Sequence, residues 1–308
     1  MASETSRRVF LKGVAATVGG LGLGVPPQKL VVGWKTDFVP EKDRKPRIRI
    51  GCCAYSYRKY LTKGKMTLEE FIQVAADMGL DGIQLTTYYY ESTDPAYLHG
   101  LKKLAFRNAL DIPSIATRTN FCQPDLEKRK QQALEMQKWI DAAVELGATA
   151  IRVFGGKIPK GASEDEAVAW TVDGLKRVLP YAERKGVILA LENHHGVTAT
   201  PELVLKIRSQ IDSPWFGLLL DTANFMKSSY EGMEKVAPYA VTAHLKTRVY
   251  DAEGNEQKAD LERIVRIFAK SGYRGYLHIE YEAKEEPRTA IPRIAAQLRE
   301  IVDRVVSA

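Results

Sequence analysis

Val187-Ile188-Leu189-Ala190-Leu191-Glu192 is a short apolar run that ends on a carboxylate. The pattern recurs three times: Trp215–Leu220 leads into Asp221, Val241–Ala243 into His244, and Tyr276–Ile279 into Glu280. Between the runs lie stretches with apolar residues at helical spacing, so each run reads as a strand and each polar residue as its C-terminal end. Strands joined by helices run parallel, and a closed parallel barrel opens all its strand C-termini on one face. Four residues far apart in the chain can therefore meet around one ion.

The same alternation extends back to Arg47. Further strands are expected over Ile48–Ser56, Gly82–Thr87, Pro113–Thr119 and Ala150–Phe154. Helices are expected over Thr67–Met78, Ala96–Leu110, Leu126–Leu146, about Ser163–Lys185, from Thr200-Pro201, over about Glu231–Tyr239, over Asp260–Lys270 and over Pro287–Val306. Thr67 with Glu70, and Ser163 with Glu166, have capping-box spacing. Gly79 and Gly147 are helix stops, and Pro201 suits a first helical position. Eight strictly alternating units favour closure into a (β/α)₈ barrel, an α/β fold, over an open doubly wound sheet. The length of 308 residues, 45% of them hydrophobic, accommodates one such catalytic domain over residues 46–308.

The formal charge of +7 is spread along amphipathic helices and reads as solvated surface, so no nucleic-acid partner is expected. Three cysteines, two of them the adjacent Cys52 and Cys53, give no disulfide framework and no zinc-cysteine motif. Ser6-Arg7-Arg8-Val9-Phe10-Leu11-Lys12, followed by the mildly apolar, glycine-rich Val14–Val25, resembles a twin-arginine export signal. The apolar stretch is too short for a stable bilayer span. Residues 1–45 are thus expected to be signal peptide and linker, and the protein periplasmic without stable membrane insertion.

Three carboxylates and one imidazole, with no thiolate, suit one divalent ion: Mn²⁺, Mg²⁺, Co²⁺ or Fe²⁺, with Zn²⁺ also admitted. Strand alternation places His194 with Glu192, Lys246 with His244, and His278 and Glu282 with Glu280. By the same parity His195 points away from the site as a surface or loop residue, and His99, on a helix, reads as surface. His278 is either a hydrogen-bonded core histidine or a partner of the ligand shell. Tyr55, Tyr57 and the Tyr88-Tyr89-Tyr90 run either floor a sugar pocket or pack. Gly155-Gly156 is expected to allow close backbone approach after the fourth strand rather than to bind phosphate.

Residues 47–305 resemble the xylose isomerase-like TIM barrels grouped as sugar phosphate isomerases/epimerases. The segments that carry the resemblance are Leu191-Glu192-Asn193-His194, Leu220-Asp221-Thr222-Ala223-Asn224, His244-Leu245-Lys246 and Ile279-Glu280-Tyr281-Glu282. The resemblance implies that Glu192, Asp221, His244 and Glu280 bind the ion and that Glu192 and Glu280 are also the catalytic acid and base. They would move a proton through an enediolate on a ketose or keto-sugar. It implies substrate contacts from His194 and Lys246, with Asn224 standing where related 3-epimerases carry histidine and Arg248 the nearest match to their arginine. A small-molecule sugar is the expected partner, with homo-oligomerisation left open. Two other readings remain: a 3-keto-glycoside lyase or hydrolase using the same metal site, and a non-catalytic sugar-binding barrel. An endonuclease IV-like multi-zinc site would need more than five histidines.

Overall fold

The structure, a computed structural model, describes residues 45–307; the expected export signal lies outside the described residues. The strands are β1 (Arg47–Cys53), β2 (Gly82–Thr86), β3 (Asp111–Ala116), β4 (Ala150–Phe154), β5 (Ile188–Glu192), β6 (Phe216–Asp221), β7 (Ala240–Leu245), β8 (Arg248–Tyr250), β9 (Glu256–Lys258) and β10 (Arg274–Ile279). β1 to β7 and β10 close, in that order, into one parallel barrel, while β8 and β9 form a separate antiparallel hairpin. This is the expected (β/α)₈ barrel. The covering helices are α1 (Arg58–Leu61), α2 (Leu68–Asp77), α3 (Pro95–Arg107), α4 (Leu126–Leu146), α5 (Glu164–Lys185), α6 (Pro201–Ser209), α7 (Ser229–Val236), α8 (Leu261–Lys270) and α9 (Pro287–Ser307).

Local chemistry sets the helix ends. Both capping boxes form: Thr67 Oγ1 accepts from Glu70 N at 3.2 Å, and Ser163 Oγ from Glu166 N at 3.2 Å. Gly147 and Gly186 close α4 and α5 in the left-handed region, at φ 79° and 70°. α8 buries Leu261, Ile264, Val265, Ile267 and Phe268 on one face. Each such side chain stabilises the helix-on-barrel packing by about 1.5–3 kcal/mol. β6, covered on both sides, is buried at every position, which is why its sequence is an apolar run rather than an alternation.

Register carries strand ends to the site. Asp221 pairs with His244 across β6 and β7, and His244 with His278 across β7 and β10. Several expected boundaries move, each for a tertiary reason. β1 stops at Cys53, because residues 54–57 wind into a 3₁₀ turn from which Ser56 Oγ donates to Ile279 O at 2.9 Å and accepts from Tyr281 N at 2.8 Å. β3 lies at Asp111–Ala116, since the Thr117 side chain donates to Arg152 O at 2.7 Å and the chain then leaves the ladder. α7 starts at Ser229 and gives way to a 3₁₀ turn at Ala237–Tyr239 around Pro238. The β8–β9 hairpin, between Lys246 and α8, had no signal in the periodicity.

Candidate metal centre and active site

Glu192 ends β5, Asp221 ends β6, His244 is the penultimate residue of β7, and Glu280 follows β10. All four are buried, and one ligand atom from each lies within 4.8 Å of every other. Asp221 Oδ2 and His244 Nδ1 make no hydrogen bond, and Asp221 Oδ2 has the Lys246 ammonium 3.2 Å away. Buried polar atoms are rarely left without a hydrogen bond, so His244 Nδ1, facing the carboxylates of Asp221 and Glu280, marks where a cation fits. Gln84 fixes the orientation of the His244 ring from its other side. Gln84 Nε2 donates to Ser114 Oγ at 2.9 Å, which turns Gln84 Oε1 toward His244 Nε2 at 2.7 Å. His244 therefore donates from Nε2 and presents Nδ1 to Asp221 and Glu280, 3.9 and 3.5 Å away.

The electrostatics agree with a site built for positive charge. Burial pushes the Asp221 carboxyl up to about 7, with Glu280 and Glu192 adding to the effect and Lys246 opposing it. Burial acts the same way on Glu280, but His244 and Lys246 outweigh it and hold that carboxyl well below the usual range. Lys246 Nζ lies 3.2 Å from Asp221 Oδ2, 3.2 Å from Glu280 Oε2 and 3.0 Å from Glu282 Oε2. Burial works against its charge, yet these carboxylates keep its ammonium protonated well above the ordinary lysine range. Cys53 also approaches His244 and Glu280. Burial and then Glu280 raise its thiol well above the ordinary value, so it sits there as a neutral group.

Glu192 is fixed through both oxygens. Arg152 Nη1 donates to Oε2 and Asn224 Nδ2 to Oε1, each at 3.0 Å. Arg152 also donates to Tyr88 Oη at 2.9 Å and to Thr117 O at 3.0 Å, with its guanidinium 4.1 Å from the centre of the Phe154 ring. Reading strand ends misses Arg152 and Gln84, because both sit mid-strand. The signal was there all the same: a lone polar side chain in Ala150-Ile151-Arg152-Val153-Phe154, and Gln84 between two apolar residues in Gly82-Ile83-Gln84-Leu85-Thr86. A polar residue inside an apolar strand needs a buried partner.

Above the four residues opens a cavity of about 440 Å³, to which Glu192, Glu280, Arg152, Lys246, His194 and Tyr88 contribute. Its size is that of a small-molecule site. His194 lines it, as expected, and packs on Phe154 with ring centroids 4.4 Å apart. His195 also lines it, against expectation, in contact with His194. β5 ends at Glu192, so the two-residue alternation no longer applies at 194–195. Burial pushes both imidazoles down. Asn224 bridges Glu192 to Lys246, whose Nζ is 3.2 Å from Asn224 Oδ1. Arg248 lies on β8, outside the cavity lining, with Nη2 2.7 Å from Oε2 of Glu282, a residue that does line the cavity. His278 is a core histidine without hydrogen bonds, stacked on Tyr276 at 5.6 Å. Gly156, at φ 118°, lets the β4 loop approach closely, and its carbonyl accepts from Val197 N at 3.1 Å.

The profile of the xylose isomerase-like TIM barrel family matches residues 72–301. The chain belongs to that family. Among solved structures it is similar to the xylose isomerase domain protein of Planctomyces limnophilus, at 18% identity and TM-score 0.65 over 86% of this chain and 100% of that one. A D-tagatose 3-epimerase-like protein gives 20% identity and TM-score 0.67, covering 84% and 99%. The IolI protein, crystallised with a zinc atom, gives 18% and 0.67, covering 84% and 98%. At these identities the likeness is one of fold. One stretch of 47 residues is 47% identical to the C-glycoside deglycosidase alpha subunit of Arthrobacter globiformis; it spans 15% of this chain and only 13% of that protein. No helix among the described residues is long and apolar enough to cross a membrane.

Proposed function

We propose that the protein is a metal-dependent sugar isomerase or epimerase that moves a proton at a carbon next to a carbonyl. The observation that carries this reading is the convergence of Glu192, Asp221, His244 and Glu280, one ligand atom from each within 4.8 Å of every other, beneath a cavity that the two glutamates line. Glu192, Asp221, His244 and Glu280 would hold one divalent ion, which would polarise a substrate carbonyl and stabilise the charge that develops as the neighbouring proton leaves. The donor set admits Mn²⁺, Co²⁺, Mg²⁺ or Zn²⁺.

The chain's own residues divide the remaining work. Glu192, oriented by Arg152 and Asn224, and Glu280, beside Lys246, come from well-separated strands and can act as proton acceptor and donor on a sugar held between them. Lys246 Nζ supplies positive charge beside Glu280, where a substrate oxyanion would gain charge-assisted hydrogen bonds. His194 and His195, with lowered pKa values, are neutral near pH 7 and offer donors and acceptors to sugar hydroxyls. The test is NMR of ketoses in D₂O: wild type exchanges a carbon-bound proton, whereas Glu192→Gln and Glu280→Gln stay folded and exchange it at least about 10²-fold more slowly. Wild-type exchange in both variants would remove these residues from the mechanism.

The match to the deglycosidase alpha subunit favours a second reading on the same site. There, removal of the proton at C2 of a 3-keto-glycoside is followed by expulsion of the C1 substituent, which takes up a proton as it leaves. Cleavage of a keto-glycoside in the NMR experiment, without exchange into free ketoses, selects it. On the strength of Arg7-Arg8 and the segment that follows, the reading includes export by the twin-arginine route to the periplasm. Fractionation of cells that express the full chain, with Arg7→Lys/Arg8→Lys as control, tests that part.

A further inference from the structure

We propose that the cavity contains a second subsite, formed by Arg118 and Lys157, for an anionic group on the substrate. This rests on the reading above that the substrate is a sugar, and it narrows that substrate to one carrying a carboxylate or a phosphate. Arg118 follows β3 and Lys157 follows β4, and both line the cavity. In the order of the closed barrel, β3 lies across from β7 and β4 across from β10, the strands that supply His244 and Glu280. The two cations thus stand on the far side of the cavity from Lys246.

Charge pairing within the cavity leaves them over. The three carboxylates that line it are Glu192, Glu280 and Glu282. Glu192 is taken by Arg152 at 3.0 Å, Glu280 by Lys246 at 3.2 Å, and Glu282 by Lys246 at 3.0 Å and Arg248 at 2.7 Å. Among the described residues no carboxylate lies within 4.0 Å of Arg118 or Lys157, so of the four cations that line the cavity these two, unlike Arg152 and Lys246, have no carboxylate partner. Divalent charge among the four buried residues would make the cavity more positive still. A neutral sugar leaves that charge unanswered; an anionic one answers it.

The Arg118 side chain and the Lys157 backbone are also held in place. The Arg118 guanidinium lies 4.6 Å from the centre of the Tyr88 ring, and Tyr88 is itself fixed by the 2.9 Å hydrogen bond from Arg152. A guanidinium laid on an aromatic face keeps its N–H edge available for two oxygens of one anion. Lys157 is placed by Gly156 at φ 118°, whose carbonyl is tied to Val197 N. Lys157 stands close enough to His195 to join burial in lowering the pKa of that imidazole.

Isothermal titration calorimetry of D-fructose, D-glucuronate, D-fructose 6-phosphate and inorganic phosphate into the wild-type protein tests the subsite, at low and high NaCl. The expected result is a charged ligand binding at least about tenfold tighter than D-fructose at low salt, with the advantage shrinking as salt rises. Glucuronate ahead of the phosphates assigns a carboxylate; the reverse order assigns a phosphate. In Arg118→Gln/Lys157→Gln, which alters only exposed side chains and should keep its unfolding midpoint, the ratio of charged to neutral affinity falls to about one. No preference for either anion in the wild type, or a preference that survives the double substitution, overturns the subsite. Anion preference without any proton exchange overturns the catalytic reading alone, and exchange without anion preference overturns the subsite alone.

Discussion

Arg152→Met removes the cation that holds Glu192 while keeping most of the side chain's length and apolar contact with Phe154. Both members of the pair are buried, at 6% and 1% side-chain exposure, so solvent cannot take over the lost contact. Three hydrogen bonds go with the guanidinium, to Glu192, Tyr88 and Thr117 O. Breaking a buried ion pair from one side costs about 3–5 kcal/mol, because it strands the other charge. For a domain of this size each kcal/mol moves the unfolding midpoint by roughly 2–4 °C, so the variant should melt about 6–20 °C below wild type. Circular dichroism melts of metal-free protein measure this, with Arg152→Lys as a partial restoration. Added Mn²⁺ should recover more of the midpoint in the variant than in wild type, since a divalent ion supplies countercharge to the stranded carboxylate. A loss under about 2 °C for Arg152→Met would refute the argument that this pair organises the base of the cavity.

Gln84→Leu leaves His244 Nε2 without its acceptor and frees the ring to turn, so metal affinity should fall about 10–100-fold with little change in fold; equal affinity in a competitive chelator titration would count against the assigned orientation of His244. The buried His278 sets a pH dependence. Burial, then repulsion from His244, lower its pKa to about 3, against about 6.5 in the unfolded chain. Above pH ~6.5 neither state takes up this proton. Between ~6.5 and 3 only the unfolded state does, so stability falls as the pH falls, by about 1.4 kcal/mol per unit. Urea unfolding at pH 4–7 should show a shallower acid limb in His278→Leu than in wild type, and identical slopes would show that this histidine is not the cause.

The sequence by itself determined the barrel and the four residues at its mouth. Both were legible because strand and helix periods, capping boxes and glycine stops are local patterns, and in a parallel barrel the C-terminal end of a strand is already a position on one face. Glu192, Asp221, His244 and Glu280 could be found without knowing which strands touch. What the tertiary structure decided are the contacts that depend on neighbouring strands and on where a strand stops. Arg152 reaches Glu192 across 40 positions and Gln84 reaches His244 across 160, through registers that no local pattern encodes. His195 turns into the cavity because β5 ends three residues earlier, and Arg248, on a short hairpin, meets the cavity through Glu282. Arg118 and Lys157 looked like solvated surface charge in the chain; closure of the barrel sets them on one cavity wall, away from any carboxylate that could neutralise them. Chain periodicity places backbone, whereas the pairing of charges follows from barrel closure, which brings distant side chains within a few ångströms of each other.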